Sequence, residues 1–277
     1  MVTLLTDFGT GGVFAGIMKG VLLRVNPLAR LVDLTHEIPP HDVLAGALLL
    51  RSAVRYFPAG TVHLAVVDPG VGGTRRALAL AAGDALLVGP DNGLLSLAAN
   101  ALGISRAHAI DIAKLAARKF SGGPISQTFH GRDVFAPVAA QLSMGVPLAS
   151  VGPAVENLEE LRLPVCRAGA RAITGQVIHV DRFGNLITNV ALSDLRQLGG
   201  FSEDSVYVSI HGERIDGIVP AYATVPEGAL LAIIGSWELL EIAVRNGNAA
   251  HRFGVTRGAR VRIGAIRAAG RRAGRRD

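Results

Sequence analysis

The sequence predicts an α/β N-terminal domain, its mostly parallel sheet carrying helices on both faces, followed by a small β-rich C-terminal domain. Three observations predict this. Over residues 1–150, strand-sized apolar runs alternate with amphipathic helical periods. After Pro164, short strand-like runs follow one another with only Gly, Asn and Asp turns between them. The 277 residues are 49% hydrophobic and only 18% charged, which excludes a disordered chain and suits one or two globular cores.

Val2–Thr6 is a short apolar run that ends at Asp7. Phe14, Ile17, Met18, Val21, Leu22 and Val25 then recur at spacings of three and four, the period of an amphipathic helix, which Pro27 stops. Residues 31–34 form the next strand. Asp42 can cap a helix reaching Tyr56, with Val43, Ala47, Leu50 and Val54 on its apolar face. Residues 61–67 make a third strand and run into Asp68-Pro-Gly. Strand–helix–strand alternation of this kind builds a parallel sheet covered on both sides. In the second part, Ala172–Val180, residues 186–190, Val206–Ile210 and Leu230–Ile234 are the strand candidates. The expected domains are residues 1–165 and 172–264, with residues 265–277 a basic, disordered tail.

Composition narrows the partners. No apolar run reaches the roughly 18 residues of a membrane span. The N-terminus has no basic region and meets an acid at Asp7, unlike a signal peptide. A single cysteine, Cys166, excludes an internal disulfide, and the expectation is a cytoplasmic protein. The net charge of +6 invites a nucleic-acid reading, but much of it comes from Arg267, Arg271, Arg272, Arg275 and Arg276 in the tail. No aromatic-and-basic module accompanies them, so nucleic acid is not the expected partner.

Ligands of parallel sheets sit beyond the carboxyl ends of the strands, where Asp7 and Asp68 both fall. Arg75 and Arg76 follow Asp68 through a flexible Val-Gly-Gly-Thr link, short enough for a guanidinium to fold back on the acid and balance its charge. His130, in Thr128-Phe-His-Gly-Arg-Asp133, stands beside glycine at the start of an apolar helix over residues 134–142 and is an acid–base candidate. His36 and His41 flank a loop without metal-ligand spacing. Asp91-Asn-Gly93 is a turn. Gly9-Thr-Gly-Gly-Val-Phe14 only approaches the dinucleotide fingerprint, because Phe14 occupies the position of its third glycine. In the second domain, Asp181-Arg-Phe-Gly-Asn185 packs an acid, an aromatic ring and an amide into one turn. A further polar cluster follows Ser236-Trp-Glu.

Taken in order, these segments resemble the SAM hydroxide adenosyltransferase family, the adenosine-forming S-adenosylmethionine hydrolases related to the fluorinase and chlorinase enzymes. The stretches that carry the resemblance are Leu5-Thr-Asp-Phe-Gly9, Val66-Val-Asp-Pro-Gly-Val-Gly72, Pro90-Asp-Asn-Gly93, Thr128-Phe-His-Gly-Arg-Asp133, Asp181-Arg-Phe-Gly-Asn185, and Gly235-Ser-Trp237 with Glu241-Ile-Ala-Val244. The resemblance implies an α/β N-terminal domain, a C-terminal β-barrel and a homotrimer with active sites between subunits. It implies hydrolysis of S-adenosyl-L-methionine to adenosine and L-methionine with no metal and no other cofactor. It assigns Asp68, Arg75 and His130 to a catalytic triad, Asp7 to the ribose hydroxyls and Asp181 to the methionine ammonium. Phe183, Asn185, Ser236, Glu241 and Val244 would line the adenosine pocket, and Phe8, Thr128 and Phe129 complete the substrate contacts. Glu238 departs from the pattern, standing where a small residue, often glycine, follows the aromatic.

In the halogenases the segment equivalent to residues 128–131 resembles Thr-Phe-Tyr followed by a small residue. Here His130 replaces the tyrosine, which favours water over halide as the nucleophile. The competing expectations are a metal-dependent nucleoside hydrolase or phosphoesterase using Asp7 and Asp68 as ligands, and a non-catalytic protein that binds SAM or a nucleotide.

Overall fold

Runs of five or six apolar residues bounded by turn formers have no polar face to offer water, so they become strands buried on both sides. The computed structural model describes residues 1–118, 120, 123–169 and 171–266, in two compact units, Met1–Leu161 and the residues from Arg162 on. The first unit contains β1 (Val2–Thr6), β2 (Leu31–Thr35), β3 (Val62–Val66), β4 (Ala77–Ala82), β5 (Ala85–Pro90) and β6 (Ile104–Ala109). They form one sheet in the order β2-β1-β3-β5-β4-β6, and β1, β3 and β4 are buried at every residue.

The expected mostly parallel sheet is in fact mixed. β1 runs parallel to β2 and β3, and β3 to β5, but β4 is antiparallel to both β5 and β6. The cause is local: only Gly83 and Asp84 separate β4 from β5. A link that short joins antiparallel neighbours, whereas parallel ones need a crossover of about a dozen residues or more.

Helices cover both faces. α1 (Phe14–Val25), α2 (Val43–Val54), α3 (Ser96–Leu102), α4 (Ile112–Ala116) and α5 (Ala136–Ser143) fall in this unit. Asp42 caps α2 through its Oδ1, which accepts the Ala45 N–H at 3.0 Å. On one face Met18 and Leu22 of α1 and Val138 of α5 pack with Val2, Leu4, Leu64 and Ala79. On the other, Ala47 and Leu50 of α2 and Ala98 of α3 pack with Leu5, Ala65, Leu78 and Leu80. A π turn, Gly131–Phe135, leads into α5.

In the second unit, β7 (Arg167–Ala168), β8 (Ala172–Val180), β9 (Leu186–Ala191), β10 (Val206–Ile210), β11 (Glu213–Asp216), β12 (Leu230–Ile234), β13 (Leu239–Val244) and β14 (Arg260–Ala265) form an eight-stranded sheet. Its main path is β11-β10-β14-β8-β9-β13-β12, every pairing on it antiparallel. Alternation sets its inner face: Val206, Val208 and Ile210 are buried while Tyr207 and Ser209 are not. The sheet is nearly barrel-shaped, for Val219, just beyond β11 at one end of the path, bridges to Ile233 of β12 at the other. Two short helices, α6 (Leu192–Leu195) and α7 (Ala249–Phe253), complete the unit. Ala265 ends β14, and residues 267–277 of the expected basic tail lie outside the described residues. Among the described residues no helix is long and apolar enough to cross a membrane.

Among the polar side chains buried in the first unit, an imidazole lies within the sheet. His63 of β3 is fully buried, its Nδ1 2.8 Å from Thr3 Oγ1 and its ring edge-on to Phe57. Burial disfavours the imidazolium and lowers the pKa from 6.5 to about 4. Between those values the unfolded chain takes up a proton that the folded chain refuses, so stability is present above pH 6.5 and declines as pH falls toward 4. The cumulative loss is about 3 kcal/mol at 1.36 kcal/mol per pKa unit. Urea denaturation at pH 7 and pH 4.5 should show this loss in the wild type and a smaller one in His63→Gln. Equal losses in both would rule out His63 as the source.

Candidate active site

The site begins at one edge of the first sheet. β1 and β3 are parallel neighbours paired Thr6 to Val66, so the chain leaves both at the same edge, into Asp7 and Asp68. Asp7 Oδ2 accepts the His41 N–H at 2.9 Å. The antiparallel course of β4 matters here, because a strand running against β5 begins at the edge where β3 and β5 end. Arg75, just before β4, therefore returns to Asp68, only seven positions earlier in the chain.

The return is bidentate. Arg75 Nε donates to Asp68 Oδ1 at 2.9 Å and an Arg75 terminal N–H donates to Asp68 Oδ2. The same terminal nitrogen lies 2.9 Å from His130 Nδ1. A guanidinium can only donate, so Nδ1 is the acceptor and the neutral ring carries its hydrogen on Nε2. Burial first, and the Arg75 charge second, hold the His130 pKa below its ordinary value, against the opposing pull of Asp68 and Asp133. The guanidinium also lies over the buried Phe135 ring of the π turn, 5.3 Å from its centroid. The neighbouring Arg76 takes a different partner: its Nε donates to Asp91 Oδ2 at 2.7 Å, anchoring the turn after β5.

Asp7, Phe8, Asp68, Thr128, Phe129 and His130 share the lining of one cavity of about 360 Å³. Phe14 joins them. Its ring meets Phe129 edge-on at 5.3 Å and Phe8 at 5.9 Å, an aromatic wall that the helical period of α1 did not reveal. The loop after β3 is fitted tightly against the segment that carries Thr128. Gly72 has φ 76°, and a Cβ there would stand 2.2 Å from the Gln127 carbonyl oxygen. Among the described residues no group of three or more His, Cys, Asp or Glu side chains gathers as a metal site.

The second unit holds the other candidates. Asp181 closes the turn after β8: Oδ1 accepts the N–H groups of Phe183 (2.9 Å) and Asn185 (2.8 Å), and Oδ2 accepts from Asn185 Nδ2 (2.9 Å). With Ser236, Glu241 and Val244, these three residues line a wider concavity of about 950 Å³, and the Phe183 side chain is largely exposed beside it. Tyr222 also lines it and donates to Glu241 Oε2 at 2.9 Å. No sequence signal marks Tyr222, which begins a short 3₁₀ turn, Tyr222–Thr224, 19 residues from its partner. Burial raises the Glu241 pKa, the Tyr222 bond opposing and the Asp181 carboxylate reinforcing the shift.

These features can be set beside known proteins. The profile of the SAM hydroxide adenosyltransferase N-terminal domain matches residues 2–152, and that of the C-terminal domain matches residues 175–262. The chain belongs to this family. It is 47% identical over 265 residues to an (R)-S-adenosyl-L-methionine hydrolase of Salinispora tropica, covering 95% of this chain and 97% of that protein. A fluorinase of Nocardia brasiliensis is more distant, at 25% identity over 299 residues, with 95% of this chain and 96% of that one covered. The crystal structure of an uncharacterized conserved protein from Thermotoga maritima superimposes with a TM-score of 0.87 at 36% identity, covering 95% and 99% of the two chains.

Glu238 gains a physical meaning from the backbone. It has φ 61°, a left-handed conformation that glycine adopts without steric cost and glutamate does not. Glu238→Gly should relieve that strain and raise the thermal midpoint by about 2–4 °C, as a gain near 1 kcal/mol does in a chain of this size. An unchanged or lower midpoint in calorimetry would show the strain to be offset elsewhere.

Proposed function

We propose that the chain hydrolyses S-adenosyl-L-methionine to adenosine and L-methionine by in-line attack of water or hydroxide on the ribose 5′ carbon. The observation that carries this reading is the Arg75 bridge joining Asp68 to His130 beside a cavity that Asp7 also lines. The family and the relatives named as hydrolases support it.

The sulfonium already makes C5′ electrophilic and methionine a neutral leaving group, so the residues need mainly to align the nucleophile, which lowers the barrier by several kcal/mol. The new bond is O–C5′, and the C5′–S electron pair returns to sulfur. With both Asp68 oxygens fixed by Arg75, the carboxylate is aimed at the nucleophile and takes the proton that water loses. His130 Nε2–H holds the nucleophile's oxygen. Attack removes the substrate's positive charge, so a carboxylate close to sulfur would stabilise the ground state more than the transition state, which favours Asp68 on the nucleophile side. Asp7 holds the ribose hydroxyls, Asp181 the methionine ammonium, and Phe8, Thr128 and Phe129 flank the reacting carbon. Phe183, Asn185, Ser236, Glu241 and Val244 receive the adenosine. The reading includes a homotrimer with active sites at its subunit interfaces and a C-terminal sheet that closes as a β-barrel. The single cysteine supports a cytoplasmic setting. This reading needs no metal, because the sulfonium already activates C5′ and Arg75 balances the charge of Asp68.

Incubated with S-adenosyl-L-methionine in H₂¹⁸O, the protein should release adenosine and methionine in equal amounts with the label in the adenosine 5′ hydroxyl, unaffected by chelator. Activity lost to chelator and restored by a divalent ion would favour the phosphoesterase reading. Binding without products would favour a non-catalytic one.

Asp68→Asn, Arg75→Ala and His130→Ala should each lower turnover by about a hundredfold or more while retaining substrate binding, and the losses should not add. Because His130 must be neutral to accept from Arg75, kcat should be flat through neutral pH. It should fall only in acid, with a midpoint below the ordinary imidazole value of 6.5. A midpoint above 6.5 would contradict this role for His130.

A further inference from the structure

The segment that brings Thr128 and His130 to the first cavity lies outside the sheet, and a buried carboxylate at its end draws its parts together. The Asp133 side chain, in the π turn, has no solvent exposure (0%). Its Oδ2 accepts the Ser126 N–H at 2.8 Å and a terminal Arg132 N–H at 2.8 Å, while Oδ1 accepts Arg132 Nε–H at 2.7 Å. Each partner leads to a different residue of the cavity wall. Ser126 Oγ accepts the Thr128 N–H at 3.2 Å and lies 3.2 Å from Thr128 Oγ1. The Arg132 guanidinium lies over the Phe129 ring, 5.2 Å from its centroid. The Phe129 carbonyl accepts the N–H groups of Arg132 and Asp133, both at 3.2 Å, and His130 stands between.

Burying a carboxylate is costly unless it is fully hydrogen-bonded. Here the bonds run to both sides of His130 within eight residues, so the arrangement fixes the local geometry of this segment in particular. We propose that Asp133 and Arg132 are positioning residues for the hydrolytic site: the carboxylate clamps Ser126 and Arg132 so that Thr128, Phe129 and His130 present one fixed geometry to the nucleophile and the reacting carbon. The inference rests on the hydrolase reading. It goes beyond it in giving the loop a dedicated brace that touches no substrate.

The charged groups facing His130 come from three elements: Asp68 after β3, Arg75 before β4, and Asp133 in the π turn. Asp68 and Asp133 favour the imidazolium and Arg75 opposes it. Removing the Asp133 charge should therefore move the acid limb of the kcat profile to lower pH, which loss of structure alone would not do.

The test compares Asp133→Asn and Arg132→Gln with the wild type, using the full chain and S-adenosyl-L-methionine as the probe. Displacement of the catalytic loop by about an ångström should lower kcat by roughly 10- to 100-fold, with substrate Kd from calorimetry changed less than about threefold. The acid limb should move down in Asp133→Asn. Arg132 is partly exposed, so its variant keeps the question answerable if Asp133→Asn fails to fold. Folded variants with wild-type kcat, or a lowered kcat matched by an equal loss of binding, would overturn the positioning role. Wild-type turnover is the reference: its absence would overturn the hydrolase reading itself, whereas normal wild-type turnover with unaltered variants overturns the brace alone.

Discussion

Arg75 is the constraint on which the first half of the site depends. Its donors lie in one rigid plane, and that plane is committed three ways: to the two oxygens of Asp68, to Nδ1 of His130 and to the face of Phe135. The first contact orients the carboxylate, the second selects the imidazole tautomer, and the third fixes the plane against the core. A lysine would supply the charge without the fork and would leave at least one partner unoriented. The pKa of His130 belongs to the same arrangement, since a cation beside a buried ring discourages a second positive charge.

Around this centre the fold divides its work. The parallel strands β1 and β3 bring two acids to one edge, and the antiparallel strand β4 brings a cation back to it. Helices on both sides bury the two faces of the sheet, while the polar contacts of Asp68 and Arg75 form at its edge. In the second unit the turns between antiparallel strands do the equivalent work, with Asp181 organising one and the strained Glu238 shaping another.

Much of this was legible in the sequence, for reasons that differ by element. The period of α1 and the Asp42 cap were readable because both signals are local and contained within one helix. The return of Arg75 to Asp68 was readable because a short glycine-rich link leaves few other places for it to go. The antiparallel β4 has no counterpart among the sequence expectations, although the two-residue link Gly83-Asp84 marks a hairpin between residues 77–82 and 85–90. The tie between Arg75 and His130 spans 55 residues and has no local signature; only the resemblance pointed to it. Tyr222 escaped for the same reason. Glu238 was conspicuous as a departure from a family pattern, but its left-handed backbone was a property of the turn and not of the residue type.

The order in which these pieces can assemble follows from the short link between Asp68 and Arg75. Closing a loop of seven residues costs less entropy than closing one of 55, by about 2 kcal/mol on logarithmic scaling. The acid and its arginine can therefore find each other while β3 and β4 are still pairing with their neighbours. His130 reaches the pair across 55 residues, so its contact with Arg75 is the costlier one to close. Of the contacts around Arg75, the one to the imidazole is therefore the one whose closure depends most on the rest of the first unit being in place.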